Sequence, residues 1–249
     1  ATLMSARAAY KTGAGLVKVF ALEEVSGAII QAIPECVVIP YEKDSNKEQF
    51  DKELENFIMS SNAVIIGPGL SKSLKARHMV EKVLQLDTKV VLDADALNII
   101  SEHMDWFEER LCDAVITPHI GEMARLTGYP GTGISENSIQ FAEAFATKYR
   151  VNTVLKSARS VVVTRENNRY INMTGNSGMA TAGSGDVLAG VIGGLMANGL
   201  KTDDASVMGV LLHSLAGDAY KAANGEHSMM ASDIIDSLWR GLDYDNQLL

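Results

Sequence analysis

Ala63-Val-Ile-Ile-Gly-Pro-Gly69 is four apolar residues in a row followed by a turn. A run without polar alternation suits a strand buried on both faces, and such strands belong to parallel sheets covered by helices on either side. Gly-Pro-Gly then ends it, because these residues preset turn geometry. Outward from this stretch the same grammar repeats. Leu16–Phe20, Val37–Ile39, Lys89–Leu92, Ala114–Ile116, Thr153–Leu155 and Ser160–Thr164 read as strands. Leu74–Leu86, Gly121–Leu126 and Ile134–Arg150 are among the helix-like stretches between them. Strands alternating with helices imply βαβ units and a mostly parallel sheet. Ser160–Thr164 and Arg169–Asn172 instead flank the polar Arg165-Glu-Asn-Asn168, which predicts a hairpin and an antiparallel edge. After Asp186 the chain turns helical, over Val187–Asn198, Asp203–Asn224 and Ala231–Leu238. The expected fold class is a three-layer α/β/α sandwich with a mostly parallel central sheet. No repeat or Pro- or Ser-rich linker divides the 249 residues, so 1–249 read as a single domain.

Composition narrows the function. The chain has 22 basic and 31 acidic side chains, a formal charge of −9, and 47% hydrophobic residues, enough for a sizeable core. The acidic balance argues against a broad nucleic-acid surface or an anionic membrane as partner. It leaves phosphate ligands open, since backbone N–H groups hold those without net positive charge. Two cysteines, Cys36 and Cys112, are too few for a disulfide scaffold and read as inert buried thiols. No apolar run reaches the roughly 20 residues of a membrane span, and the expected setting is the reducing cytoplasm.

In open α/β sheets, ligands bind beyond the carboxyl ends of the strands. The segments there are Gly67-Pro-Gly69, Asp93-Ala-Asp95, Thr117-Pro-His-Ile-Gly-Glu122 and Lys156-Ser-Ala-Arg-Ser160, and their convergence on one rim is the main sign of a site. Asn176-Ser-Gly-Met-Ala-Thr-Ala-Gly-Ser-Gly-Asp186 carries the strongest chemistry. Gly183 and Gly185 bracket Ser184 just before a helix, where exposed amides can face an anion. Asp186 either takes a proton from an attacking hydroxyl or merely caps the helix. Its place at the positive helix end favours the ionised form, so no raised pKa is required. Ala189, Gly190, Gly193 and Gly194 allow close helix packing.

The remaining residues carry plainer readings. His119 is solvent-exposed or caps a helix, and Glu122 is a first-turn acid stabilised by the helix dipole or supports a neighbouring contact, with the structural role preferred. Gly67-Pro-Gly69 is a ligand-facing turn or an ordinary one. Asp93 and Asp95 suggest a metal pair, but Asp95 reads better as a helix N-cap. Lys156 by itself reads as a lysine that snorkels at the surface. His213 and Asp218, five apart on one helix, read as structural, and Met229 and Met230 as core.

Ala180-Thr-Ala-Gly-Ser-Gly-Asp-Val-Leu-Ala-Gly190 resembles the signature of the ribokinase-like superfamily, and more narrowly that of the ADP- or ATP-dependent NAD(P)H-hydrate dehydratases. The likeness continues through Ile66-Gly-Pro-Gly-Leu70, Leu92-Asp-Ala-Asp-Ala-Leu-Asn98, Thr117–Leu126, Leu155-Lys156 and Gly175–Ala180, in family order from about Ala1 to Trp239. The resemblance implies a repair reaction. The nucleotide, ADP in preference to ATP, phosphorylates the added hydroxyl of NAD(P)H hydrate, and phosphate leaves to restore the dihydropyridine. It implies Asp186 as catalytic base. Ala1, Gly69, His119 and Asp186 would contact the hydrate. Lys156, Ser157, Ala158, Arg159 and Ser160, with Gly183, Ser184 and Gly185, would contact the nucleotide. Mg2+ is expected with the nucleotide, with no protein ligand named, and a homotetramer is the usual assembly. Ser157 departs from a family glycine, and Ser177 from a proline. A ribokinase-like kinase of a vitamin-precursor alcohol is the alternative.

Ala1-Thr-Leu-Met-Ser-Ala-Arg-Ala-Ala-Tyr10 already reads as a helix in progress, with Leu3, Ala6 and Tyr10 on one face and no cap before them. The expectation is a domain lacking its first strand at the N-terminus.

Overall fold

The computed structural model describes residues 1–242; the end of the expected domain, 243–249, lies outside the described residues. The elements run α1 (Thr2–Lys11), β1 (Lys18–Leu22), α2 (Glu23–Ala32), β2 (Val37–Tyr41), α3 (Lys47–Met59), β3 (Val64–Ile66), α4 (Leu74–Leu84) and β4 (Lys89–Leu92). They continue with α5 (Ala94–Glu102), α6 (Met104–Glu108), β5 (Asp113–Ile116), α7 (Ile120–Thr127), α8 (Gly131–Glu136), α9 (Ser138–Tyr149) and β6 (Asn152–Leu155). β7 (Val161–Val163), β8 (Arg169–Ile171), α10 (Ser184–Ala197), α11 (Thr202–Asn224) and α12 (Ala231–Leu242) complete the order.

The main sheet is β3-β4-β5-β6-β7-β8. β3 to β6 are parallel, and β7 and β8 add antiparallel. The antiparallel edge follows from the hairpin, whose turn places Asn167 at φ 65° and closes through Thr164 N–H to Asn168 O at 2.9 Å.

Period-two alternation divides the core between the two faces. Val90, Leu92, Ala114, Ile116, Leu155, Val161 and Val163 point into one apolar cluster with α3 to α9. Val91, Val115, Val154 and Val162 point into the other, with α10, α11 and α12. Both faces are therefore covered, as the unbroken apolar runs require.

Helix ends follow local chemistry. The Asn46 side chain caps α3, Ser73 caps α4, and Gly128 ends α7 at φ 73°. The predicted helix Ile134–Arg150 is two helices, because Asn137 leaves helical geometry at φ −127°, ψ 40°. Arg150 ends the second in the left-handed region, at φ 49°. The glycines of α10 admit neighbours: a Cβ at Gly190 would lie 2.3 Å from the Ser5 carbonyl oxygen, and one at Gly194 would lie 2.1 Å from Thr12 Oγ1. α1 therefore lies backbone to backbone on α10.

The first predicted strand is displaced. β1 begins at Lys18 rather than Leu16, and Leu16 is exposed. β1 pairs only with β2, in a separate two-stranded parallel sheet backed by Ala6, Val19, Ile29, Ile33 and Cys36. Between β1 and β3 runs a cleft of about 460 Å³, walled mainly by apolar side chains of both strands and of α1 to α4. Met229 is core, as expected, whereas Met230 is exposed. No described helix is long and apolar enough to cross a membrane.

Candidate active site

The carboxyl ends of β3, β4, β5 and β6 meet at one rim, and the four predicted segments lie along it. Gly67, at φ 123°, passes so close to the β4 exit that a Cβ there would fall 1.7 Å from the Asp93 carbonyl oxygen. This glycine is required on both counts. Gly69, at φ 72°, turns against the start of α1: a Cβ there would stand 3.4 Å from that of Ala1. Thr2 Oγ1 donates to Pro68 O at 3.0 Å and fixes this corner. The Ala1 nitrogen lies 3.9 Å from Asp186 Oδ2. Ala1, Gly69 and Asp186, widely spaced in sequence, thus share one corner of the rim.

α10 begins from Gly183 at φ 89° and has no side-chain cap. The Ser184 amide donates to Thr181 O at 3.2 Å, and the Gly185 amide behind it is left to face an anion. Asp186 is the third residue of the helix and does not cap it, which removes that reading. Burial raises its carboxyl above the ordinary value, the charge of Asp93 raises it further and Lys156 lowers it. This corrects the expectation that the helix end alone would set its ionisation: desolvation of a half-buried carboxylate outweighs the dipole.

Lys156 is not a snorkelling lysine. Its Nζ donates to Asp93 Oδ1 at 2.7 Å and lies 3.9 Å from Glu122 Oε2. A Cβ built on Gly185 would be 3.2 Å from the same nitrogen, so the ammonium stands over the start of α10. Its backbone N–H donates to Pro118 O at 2.8 Å, which extends the parallel pairing to His119 and Lys156. Beyond it, Ser157–Ser160 form a turn bonded to itself, with Ser157 Oγ donating to Arg159 O at 2.8 Å. Ser157, Ala158 and Arg159 are exposed, and Ser160 is partly so. Ser157 is not among the residues at positive φ, so the departure from glycine creates no strain.

His119 is the N-cap of α7. Its Nδ1 accepts from Gly121 N–H at 2.9 Å and Glu122 N–H at 3.3 Å. Glu122 Oε2 accepts from His119 N–H at 2.8 Å, which closes a capping box. An accepting Nδ1 carries no proton, so in the neutral ring the hydrogen is on Nε2. His119 is about half exposed, at 53% of its side chain. It caps the helix, and its Nε2 lies 3.5 Å from Glu122 Oε1. Glu122 is a buried first-turn acid, as expected, and it also closes the cap.

Asp95 is not an N-cap. Asp93 holds that position of α5, and Asp95 Oδ2 instead accepts from Ser71 N–H at 2.8 Å. His213 and Asp218 do more than fill α11. His213 is fully buried, its pKa pushed down to about 4 by burial, and its Nε2 is 3.3 Å from Ser184 Oγ. Asp218 accepts from Gly175 N–H at 2.7 Å and Asn176 Nδ2 at 2.9 Å, which secures the glycine loop. Both contacts are long-range, and helical spacing carries no sign of them.

Among the described residues no group of three or more His, Cys, Asp and Glu side chains is placed to hold a metal ion. The carboxylates of Asp93 and Glu122 flank a lysine ammonium. Such a donor set fits Mg2+ carried mainly by substrate phosphates and water, which is its habit with nucleotides. The rim thus combines a carboxylate of raised pKa, a helix N-terminus open to an anion and an ammonium beside both. That set suits proton removal from a hydroxyl coupled to phosphoryl transfer.

The chain is similar to several known proteins. The NAD(P)H-hydrate dehydratase family model matches residues 1–240. A bifunctional NAD(P)H-hydrate repair enzyme of Moorella thermoacetica is 37% identical over 243 residues, 96% of this chain and 46% of that one. The chain therefore spans about half the length of that relative. An ADP-dependent (S)-NAD(P)H-hydrate dehydratase of Bacillus subtilis is 29% identical, over 96% of this chain and 84% of its own. The crystal structure of the ADP/ATP-dependent NAD(P)H-hydrate dehydratase of Bacillus subtilis, co-crystallised with ATP and Mg2+ and soaked with CoA, superposes with a TM-score of 0.83 at 26% identity. It covers 97% of this chain and 86% of that one. The chain belongs to the NAD(P)H-hydrate dehydratase family, on a ribokinase-like α/β fold.

Proposed function

We propose that this chain dehydrates NAD(P)H hydrate at the expense of an adenine nucleotide, with ADP as the preferred donor. The observation that carries the reading is Asp186 at the open N-terminus of α10, with Lys156 Nζ beside Gly185. Asp186 takes the proton of the hydrate hydroxyl. The hydroxyl oxygen attacks the terminal phosphorus, and the bond to the leaving nucleotide breaks. The amides of Gly183 and Gly185 and the Lys156 ammonium hold the charge that moves with the phosphoryl group. Phosphate is a better leaving group than water. The ring nitrogen expels it, a ring proton is lost, and the dihydropyridine is restored.

Ala1, Gly69 and His119 take the hydrated nicotinamide side, with the His119 Nε2 hydrogen as the available donor. The Lys156–Ser160 turn takes the nucleotide. Mg2+ bound with the nucleotide supplies charge neutralisation between its phosphates, while the chain's own groups position the hydroxyl and keep the base unprotonated. The Bacillus relatives, named as ADP-dependent and co-crystallised with ATP and Mg2+, support this choice of donor and ion.

The cleft between β1 and β3 bears on domain organisation. We take it as the place of the strand expected ahead of Ala1. α1 starts at the carboxyl rim, where a strand parallel to β3 would hand over to it. A chain extended upstream of Ala1 should then melt higher. The working assembly is taken as a homotetramer, which light scattering would test.

The decisive assay adds NADH hydrate with ADP or with ATP and follows recovery of NADH absorbance. Recovery that depends on nucleotide supports the proposal. Accumulation of a stable phosphorylated alcohol, with no NADH, would overturn it in favour of a vitamin-precursor kinase.

A further inference from the structure

Aspartate is among the best N-cap residues, because its carboxylate can accept from the first free amides of its own helix. Asp93 occupies the N-cap of α5, yet its side chain makes no capping hydrogen bond. It turns instead to Lys156, 63 residues away, at 2.7 Å. The residue after it, Ala94, stands at φ 47°, in the left-handed region that a Cβ disfavours. A forgone cap and a strained backbone side by side are local costs, and such costs persist where the surroundings hold a group for a task. Stability does not explain them, since a buried ion pair is weak evidence for stability. Asp93 is 1% exposed, so it meets no ligand through open solvent.

The strand order gives the arrangement its sense. Asp93 ends β4 and Lys156 ends β6, with β5 between them. Lysine is a flexible point charge on a long stem and takes no fixed position unless held. From β6 its ammonium is drawn back across the end of β5, and there it stands over Gly185.

We propose that Asp93 is a positioning residue for phosphoryl transfer: it holds the Lys156 ammonium over the N-terminus of α10, where the transferred phosphoryl group is received. This rests on the function proposed above. Asp93 contacts neither substrate; it acts on nucleotide binding through Lys156, while its charge also bears on Asp186.

A double-mutant cycle tests it. Asp93→Asn, Lys156→Met and the double variant are compared by thermal melting, by calorimetric binding of ADP and of ATP with Mg2+, and by NADH recovery from hydrate. Lys156→Met should weaken nucleotide binding about tenfold or more, the loss of one charge-assisted contact. Asp93→Asn should lose a large part of that factor. The double variant should match Lys156→Met within about twofold, the ordinary limit of additivity. A double variant clearly worse than Lys156→Met would show that Asp93 acts independently, and would overturn the proposal. Unchanged binding and turnover in Lys156→Met would also overturn it. If Asp93→Asn does not fold alone, Asp93→Glu, which keeps the charge but moves the carboxylate by one methylene, takes its place, and unchanged nucleotide binding in it would overturn the proposal. If Lys156→Met does not fold, Lys156→Gln, whose amide still donates to Asp93, takes its place. Binding is read without hydrate, so the two readings fail separately. Absent NADH recovery with intact coupling removes the dehydratase function, and recovery without coupling removes only the role of Asp93.

Discussion

The contact between α1 and α10 makes a sharp prediction, because one methyl group tests it. A Cβ on Gly190 would sit 2.3 Å from the Ser5 carbonyl oxygen, 2.7 Å from the Ala8 Cβ and 2.8 Å from the Ser5 Cα. These neighbours are backbone or the first side-chain atom, so no rotamer change relieves the clash. α1 must withdraw by about 1 Å to regain van der Waals distance. Overpacking of this kind costs about 1–3 kcal/mol. Alanine returns up to about 1 kcal/mol through helix propensity. With rigid neighbours the upper part of the cost applies, and Gly190→Ala should lose about 2 kcal/mol net. For a chain of this size that lowers Tm by about 4–8 °C. Gly133 is the control: it lies in α8 with nothing within 4 Å of a built Cβ. Gly133→Ala should gain up to about 1 kcal/mol, or about 2–4 °C. Differential scanning calorimetry of the pair reads both signs. α1 also carries Ala1 and Thr2 to Gly69 and Pro68, so Gly190→Ala should lose turnover even below its melting range. A Gly190→Ala protein that melts at or above the parent temperature would refute the packing of α1 on α10.

Asp186→Asn should slow NADH recovery by about 10²–10⁴-fold, the range for loss of a general base. Because burial raises the Asp186 carboxyl in the folded protein, folding favours its protonated form. Its stabilising contribution is therefore present at low pH and lost as pH rises through the folded value, so at neutral pH the variant should melt no lower than the parent. The acid limb of kcat/KM should likewise lie above the ordinary carboxylate range; a limb at or below it would refute the assignment of that limb to Asp186. His119→Ala should lose the α7 cap, at about 1 kcal/mol, whereas His119→Asn should keep the cap and lose only the ring. Raised hydrate KM with unchanged Tm in His119→Asn would place the ring on substrate, and unchanged KM would leave it a cap. The Cys112 thiol is pushed up to about 12 by burial, so a thiol reagent at pH 8 should label it only after unfolding; rapid labelling of the native protein would refute its burial.

Much of the fold was legible because it rests on unbroken apolar runs. Ala63–Ile66, Lys89–Leu92 and Thr153–Leu155 each lead to a strand of the main sheet, and the polar Arg165–Asn168 marks the hairpin. Leu16 misled because an apolar residue just before a strand reads as part of it, while tertiary packing starts the strand at Lys18. The break at Asn137 was hidden because the apolar pattern runs on across it. Residue types at the rim were legible, but their partners were not. Asp93 and Asp95 are two apart and equally suited to capping, and only Lys156, brought in by β6, separates their roles. The raised carboxyl of Asp186 depends on burial, which no local pattern carries.

The cleft between β1 and β3 has a consequence for the handling of the protein. Each strand ends its own sheet, and residues of both line the mainly apolar cleft. An exposed strand edge is a template for addition of any extended chain. The charge of −9 disfavours association across the polar faces but offers little protection inside an apolar slot. A lysine introduced at this seam should therefore suppress strand addition, and the strand proposed ahead of Ala1 would close the same edges.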